Sequence, residues 1–222
     1  MKHYHIVGQN NAVISMILEA LYCLHSHFVE VVVVANISSV QTVPYQLGRI
    51  KTTEISHEYW MPDVSNKCLL GVFSPASKRQ VYDFFLNKYK ITTDDYETIM
   101  HPVATVATNA MMANGVHVGP GVVIAPYVEL GNFVTVNRQV SIGHHTKIGD
   151  FSTINPGCNI AGGCTIGKNV AIGMGVNIVN DIEIGDNAII GAGSLITKSV
   201  AANTLVYGVP AREIKKITTT IA

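Results

Sequence analysis

Residues 142–167 read IGHHTKIGDFSTINPGCNIAGGCTIG, and isoleucine returns at every sixth position: Ile142, Ile148, Ile154, Ile160 and Ile166. The period runs outward in both directions. From Val118 to Ile196 every sixth residue is Val, Ile or Leu, fourteen positions without a break. A second register lies four residues after each of these. It reads Val122, Val128, Val134, Val140, Thr146, Ser152, Cys158, Cys164, Val170, Val176, Ile182, Ala188 and Ser194, all small or β-branched. Glycine follows the large aliphatic residue in eight of the fourteen hexads.

A half-buried strand alternates and a fully buried one is continuously apolar, so neither yields one strong position in six. A fixed internal period is instead the mark of a stacked repeat. Three hexads make one triangular coil of eighteen residues, with the aliphatic and the small residue both pointing into the prism. Each coil pairs its backbone with the next at about 4.8 Å. Glycine beside the aliphatic residue relieves crowding at tight corners. Residues 118–196, with a looser start at Val106 and Met112, make roughly five coils. The pattern resembles the hexapeptide hallmark of left-handed parallel β-helices, which implies that fold for a domain of residues 100–222 with a C-terminal cap.

The first 99 residues follow other rhythms. Tyr4–Val7 reads as a buried strand ending at Gly8, and Asn11–Leu24 as a helix capped by Asn10 or Asn11. The β-branched run Val31–Val34 predicts a buried, parallel strand. Lys67–Phe73 predicts another strand. Ser77–Lys90 predicts a helix capped by Ser77, with Val81, Phe84 and Phe85 inward. The segment Ile37–Asp63 carries no usable period. Alternating strands and helices imply a small α/β, Rossmann-like domain of residues 1–99. Ligands of such sheets sit at the C-terminal strand ends, often with phosphate at a glycine-rich turn. The turn here, Gly8-Gln9-Asn10-Asn11, has one glycine, so a domain that only packs or orients subunits remains open beside nucleotide binding.

Composition narrows the function. Fifteen Lys and Arg balance fifteen Asp and Glu, which argues against nucleic-acid binding, where a basic surplus is needed. Cys23, Cys68, Cys158 and Cys164 show no ligand spacing, so no metal site is expected, and they read as free thiols of a reducing compartment. The apolar stretch Val13–Leu24 contains Glu19 and is too short to span a membrane, and it lacks the basic start and cleavage site of a signal peptide. A cytoplasmic protein is expected.

His144 and His145 hold the third and fourth places of their hexad, which point away from the prism. Eighteen residues on, the same places hold Gly162 and Gly163; eighteen before, Pro126 and Tyr127. A notch beside His144 follows, wide enough for a pantetheine arm or an acceptor group. The plainer reading is that the two glycines only ease a corner.

Several motifs carry a resemblance that spans nearly the whole chain. They include Ile142-Gly143-His144, Ile148-Gly149-Asp150-Phe151, Ile154-Asn155-Pro156-Gly157, Ala161-Gly162-Gly163 and the closing Tyr207-Gly208-Val209-Pro210-Ala211-Arg212. The chain resembles the PglD/NeuD-like sugar O- and N-acyltransferases of bacterial surface-glycan synthesis. The resemblance implies a homotrimer that uses acetyl-CoA, without a metal, and His144 as catalytic base. The residue after that histidine is usually Asp or Glu in the family; here it is His145. A second histidine of close relatives is replaced by Thr153, and paired acidic residues after the second strand are replaced by Ala35-Asn36. Acetyl-CoA is expected to touch Thr153, Gly162, Met174 and Ala192. A nucleotide-linked amino sugar is expected at Gly8, Asn10, Asn11, Ala12, Val13 and Asn36. Acetyl transfer to a sugar hydroxyl, a zinc-dependent carbonic anhydrase and a non-catalytic paralogue are the alternatives. Against zinc, the repeats hold only His117, His144 and His145, with no second histidine one coil from another.

Overall fold

A computed structural model describes residues 2–36, 47–63 and 66–217. The chain divides into two units, Met1–Pro102 and Val103–Ala222.

In the first unit, β1 (Lys2–Val7), β2 (Val29–Ala35), β3 (Ile50–Ser56) and β4 (Lys67–Leu70) form a parallel sheet in the order β3-β2-β1-β4. Helix α1 (Asn11–Leu24) is capped by Asn10, whose side chain accepts from the Val13 N–H at 3.2 Å. Its Val13, Ile14, Ile17, Leu18 and Leu21 bury against Tyr4, Ile6, Val31 and Val33. Helix α2 (Pro75–Tyr89) begins earlier than its sequence pattern predicts. Pro75 is suited to the first helical position, which moves the cap from Ser77 to Ser74, whose side chain accepts from Ser77 N–H. Val81 and Phe85 are buried and Phe84 is half-buried. Strand β4 stops at Leu70, short of Phe73. A Cβ on Gly71 would come within 2.2 Å of the Gly8 carbonyl oxygen, so the two turns touch through bare backbone. β3 has no counterpart in the sequence reading because it is an edge strand, IKTTEIS, with polar residues on both faces. Part of the unassigned segment, residues 37–46, lies outside the described residues.

The second unit is the left-handed parallel β-helix. Two-residue strands pair with strands eighteen residues away, as in Glu129↔Lys147↔Thr165 and Ser141↔Asn159↔Asn177. Face one carries Thr105–Val106, Val123–Ile124, Ser141–Ile142, Asn159–Ile160, Asn177–Ile178 and Leu195–Ile196. Face two runs from Met111–Met112 to Glu183–Ile184. Face three carries His117–Val118, Thr135–Val136, Thr153–Ile154, Ala171–Ile172 and Ile189–Ile190, and continues through Thr204–Gly208 into the antiparallel strand Ala211–Lys216.

All fourteen aliphatic positions and all thirteen of the second register are buried. The polar members of that register are satisfied internally. Thr146 Oγ1 donates to the Ala161 carbonyl and accepts from Cys164 N–H. Ser152 Oγ donates to the Gly167 carbonyl and accepts from Val170 N–H. A buried hydroxyl is tolerated because each donor and acceptor has a partner.

The glycine beside the aliphatic residue relieves crowding, as expected, and the crowding comes from the neighbouring coil. None of these glycines has positive φ; a Cβ there would strike the next coil, at 2.5 Å from Gly162 N in the case of Gly143. The left-handed backbone sits two places later. Every sixth residue from 115 to 193 has φ between 55° and 73°. Nine of these fourteen are Gly, Asn or Asp, the residues that accept it at least cost; the others are Tyr127, Phe133, Gln139, His145 and Phe151.

Candidate active site

His144 and His145 form the corner between faces one and two, and both are exposed. The corner is fixed by backbone. Gly143 N–H donates to the Ile160 carbonyl at 2.8 Å, His145 N–H to the Pro126 carbonyl at 3.1 Å, and Gly163 N–H to the His144 carbonyl at 2.8 Å.

The imidazole of His144 reaches forward one coil and lies on Gly162. A Cβ on Gly162 would stand 2.7 Å from Cε1, 2.8 Å from Nε2 and 3.0 Å from Nδ1 of that ring. The space expected to form a notch beside His144 is occupied: the imidazole itself fills the part over Gly162, and Asp181 Oδ1 lies where a side chain of Gly163 would begin. His144 Nδ1 and His145 Nδ1 are 3.1 Å apart, with the rings edge-on at 83°. Such a bond needs one protonated and one bare nitrogen. When His144 donates, its Nε2 is left bare, the state required of a base. His145 is held in turn by Tyr127, one coil back in the same column, stacked at 4.8 Å and 28°. His145 keeps a left-handed backbone, φ 60°, at this corner. Strain of this kind is retained where the surroundings over-determine it.

Gly163 N–H is engaged by the His144 carbonyl. Of the glycine pair, Gly162 alone keeps an N–H without a backbone acceptor among the described residues, and the residue is buried beneath the imidazole.

Met174 and Ala192 occupy one column at the corner between faces three and one, on consecutive coils, with Gly193 N–H donating to the Met174 carbonyl at 2.8 Å. Met174 is exposed. They and His144–Gly162 therefore border opposite edges of face one. Between them lie the exposed Ser141, Asn159 and Asn177, where Asn159 Nδ2 donates to Asn177 Oδ1 at 3.0 Å and Asn177 Nδ2 to the Gly175 carbonyl at 3.3 Å. Thr153 stands apart: it belongs to face three and is only 3% exposed.

In the α/β unit, Gly8 follows β1 with φ 84°, Asn10 caps α1, Asn11 is half-buried, Ala12 is exposed and Asn36 follows β2. Val13 faces the core, and its N–H is taken by Asn10. Gln9 Nε2 donates to Glu54 Oε1, which brings a carboxylate from β3 to the turn.

Three of the four thiols are withdrawn from solvent. Cys158 and Cys164 are buried in the prism and pushed up by burial, and burial pushes the Cys68 thiol up to about 12. Among the described residues no His, Cys, Asp and Glu group of three could hold a metal ion, and no helix is long and apolar enough to cross a membrane.

The sequence alone showed no role for Tyr127, Asn159, Asn177 or Glu54. The signal open to Tyr127 was the period, which places it in one column with His145, Gly163 and Asp181 at steps of eighteen. Glu54 had no such signal, because β3 itself was not legible.

The bacterial transferase hexapeptide (six repeats) family matches residues 145–178 and 163–198. No curated protein matches the sequence. Several solved structures share the fold over the whole chain. The acetyltransferase domain of PglB from Neisseria gonorrhoeae FA1090, in complex with acetyl coenzyme A, is 19% identical with a TM-score of 0.80, covering 96% of this chain and 100% of that one. A perosamine N-acetyltransferase from Caulobacter crescentus, in complex with CoA and GDP-perosamine, is 18% identical with a TM-score of 0.77, covering 97% and 98%. WeeI from Acinetobacter baumannii AYE is 18% identical with a TM-score of 0.73, covering 96% and 100%.

Proposed function

We propose that this chain, built on the fold of the sugar acetyltransferases, is an acetyl-CoA-dependent N-acetyltransferase acting on a nucleotide-linked amino sugar, with His144 as general base. The observation that carries the proposal is the His144–His145 contact. In the tautomer in which His144 donates, the 3.1 Å Nδ1···Nδ1 contact leaves a bare Nε2 beside Gly162. The ligands found in proteins of the same fold support it: acetyl coenzyme A in one, CoA with GDP-perosamine in another.

The residues suit a pantetheine arm. Its methylenes can lie along Met174 and Ala192, and its amides can meet the side-chain amides of Asn159 and Asn177 on face one. One flat face does not enclose a flexible chain, so a neighbouring prism is needed to close the groove, and the working form is a homotrimer. In the α/β unit, Asn10, Asn11 and Asn36 line the strand-end edge where a nucleotide binds, and Glu54 offers an acceptor for ribose hydroxyls.

In the reaction the acceptor amine attacks the thioester carbonyl. A C–N bond forms as the amine proton passes to His144 Nε2, and the oxyanion is met by the Gly162 N–H. Collapse breaks the C–S bond, and the departing thiolate takes the proton back from His144. Direct transfer leaves no enzyme-bound acetyl group, and the cysteines of the β-helix, Cys158 and Cys164, are buried in the prism.

The test is CoA release, followed with a thiol reagent, from acetyl-CoA and a panel of nucleotide-linked amino and hydroxy sugars. The expected result is turnover with an amino sugar and a loss of about 10²- to 10⁴-fold in kcat in His144→Ala. Full activity in that variant overturns the assignment of the base, and turnover only with hydroxyl acceptors overturns the assignment of the nucleophile.

A further inference from the structure

Two pairs of rings stack along the corners of the β-helix, and they differ in burial. Phe133 and Phe151 lie 4.9 Å apart at 26° and are 1% and 4% exposed, so packing accounts for them. Tyr127 and His145 lie 4.8 Å apart at 28°, and both are exposed, Tyr127 by 55%. Tyr127 also keeps a left-handed backbone, φ 61°, which glycine or asparagine would accept at less cost. No core holds the tyrosine in that conformation. A strained residue outside the core points to a role in the site beside it, and here the ring lies on the face of His145.

An exposed imidazole turns about its outer side-chain bond with little preference. Two contacts remove that freedom from His145. The stack on Tyr127 fixes the plane of the ring, and the 3.1 Å contact between the Nδ1 atoms of His145 and His144 fixes which edge faces His144. The His144 ring stands at 83° to that plane. Backbone sets the spacing of the stack, since His145 N–H donates to the Pro126 carbonyl at 3.1 Å and Tyr127 N–H to Asn109 Oδ1 at 3.4 Å. Each of the three rings orients the next.

We propose that Tyr127 is a positioning residue for the acetyl transfer: by stacking on His145 it holds the contact that keeps the proton of neutral His144 on Nδ1 and leaves Nε2 bare. The inference rests on His144 being the base. The stack needs the aromatic ring, and the phenol hydroxyl takes no part. Without the ring His145 turns freely, and the tautomer of His144 is no longer selected. The molecules that then carry the proton on Nε2 have no lone pair there to accept another.

Two variants test this. Tyr127→Asn removes the ring and suits the left-handed backbone; Tyr127→Phe keeps the ring and removes the hydroxyl. The first readout is the nitrogen NMR spectrum of histidine-labelled protein without substrates, at a pH where the rings are neutral, assigned with His144→Ala and His145→Ala. The wild type and Tyr127→Phe are expected to show His144 protonated at Nδ1, and Tyr127→Asn a mixture of tautomers. The second readout is steady-state kinetics beside a melting curve. Tyr127→Asn should lose about ten- to a hundredfold in kcat with KM nearly unchanged. Tyr127→Phe should keep the wild-type kcat, and both variants should melt close to the wild type. An unchanged His144 spectrum with full kcat in Tyr127→Asn, and His144→Ala inactive, overturns the inference alone. A loss confined to the acceptor KM with the spectrum unchanged overturns it too, since Tyr127 would then touch the substrate. So does a loss of kcat that follows a fall in melting temperature, which would place Tyr127 in the scaffold. Full activity of His144→Ala overturns the proposed base instead, and the spectra still report whether Tyr127 orients the pair.

Discussion

Gly162 is the residue on which the proposed chemistry turns. The imidazole of His144 occupies the space of the side chain that Gly162 lacks, and the N–H of Gly162, without a backbone acceptor among the described residues, is the donor proposed for the oxyanion. Gly162 does not have positive φ, so alanine is acceptable to its backbone, and the effect of a methyl group is purely spatial. Gly162→Ala should therefore fold with nearly unchanged thermal stability while displacing the ring. A displacement of about 1 Å in a catalytic group can cost on the order of 10²-fold, and the loss should appear in kcat. Steady-state kinetics beside a melting curve check it. Equal loss of stability and activity would place Gly162 in the scaffold and not in the site.

The repeating corner is the element that shapes the molecule. Each corner puts its fourth residue in the left-handed region, and five corners do so with a bulky or long side chain. Four of the five are in ring stacks, Tyr127 on His145 and Phe133 on Phe151 at 4.9 Å. Gln139 is the exception: exposed, at φ 57°, with no aromatic partner to offset the strain. Left-handed backbone costs a non-glycine residue roughly 1–2 kcal/mol, partly offset by the flexibility that glycine adds to the unfolded chain. Gln139→Gly should raise stability by about 0.5 kcal/mol in urea denaturation, whereas the same change at Phe151 should lower it. The aliphatic and small registers of these corners were legible in the sequence, since burial imposes a strict period on side-chain size. The left-handed column was not, because tyrosine, phenylalanine, glutamine and histidine interrupt the glycine and asparagine that mark it. In the α/β unit, α1 was legible from its period and its cap. Strand β3 was not, because an edge strand carries little hydrophobic signal.

At the scale of the whole molecule, the candidate residues of the β-helix fall into two groups on one face: His144, His145 and Gly162 lie at one edge of face one, Met174 and Ala192 at the other. The resemblance named most of these residues, but no sequence period shows that two corners border one face. Only the closed triangular coil does that. The account needs a second prism to complete each site, so it is tested most directly by a crystal structure of the assembled protein with CoA and an amino-sugar nucleotide. The expected result is a trimer with the pantetheine arm on face one against a neighbouring protomer, and the sugar nitrogen about 3 Å from His144 Nε2. CoA bound away from face one, or the ring of His144 turned to solvent with the sugar elsewhere, would contradict it.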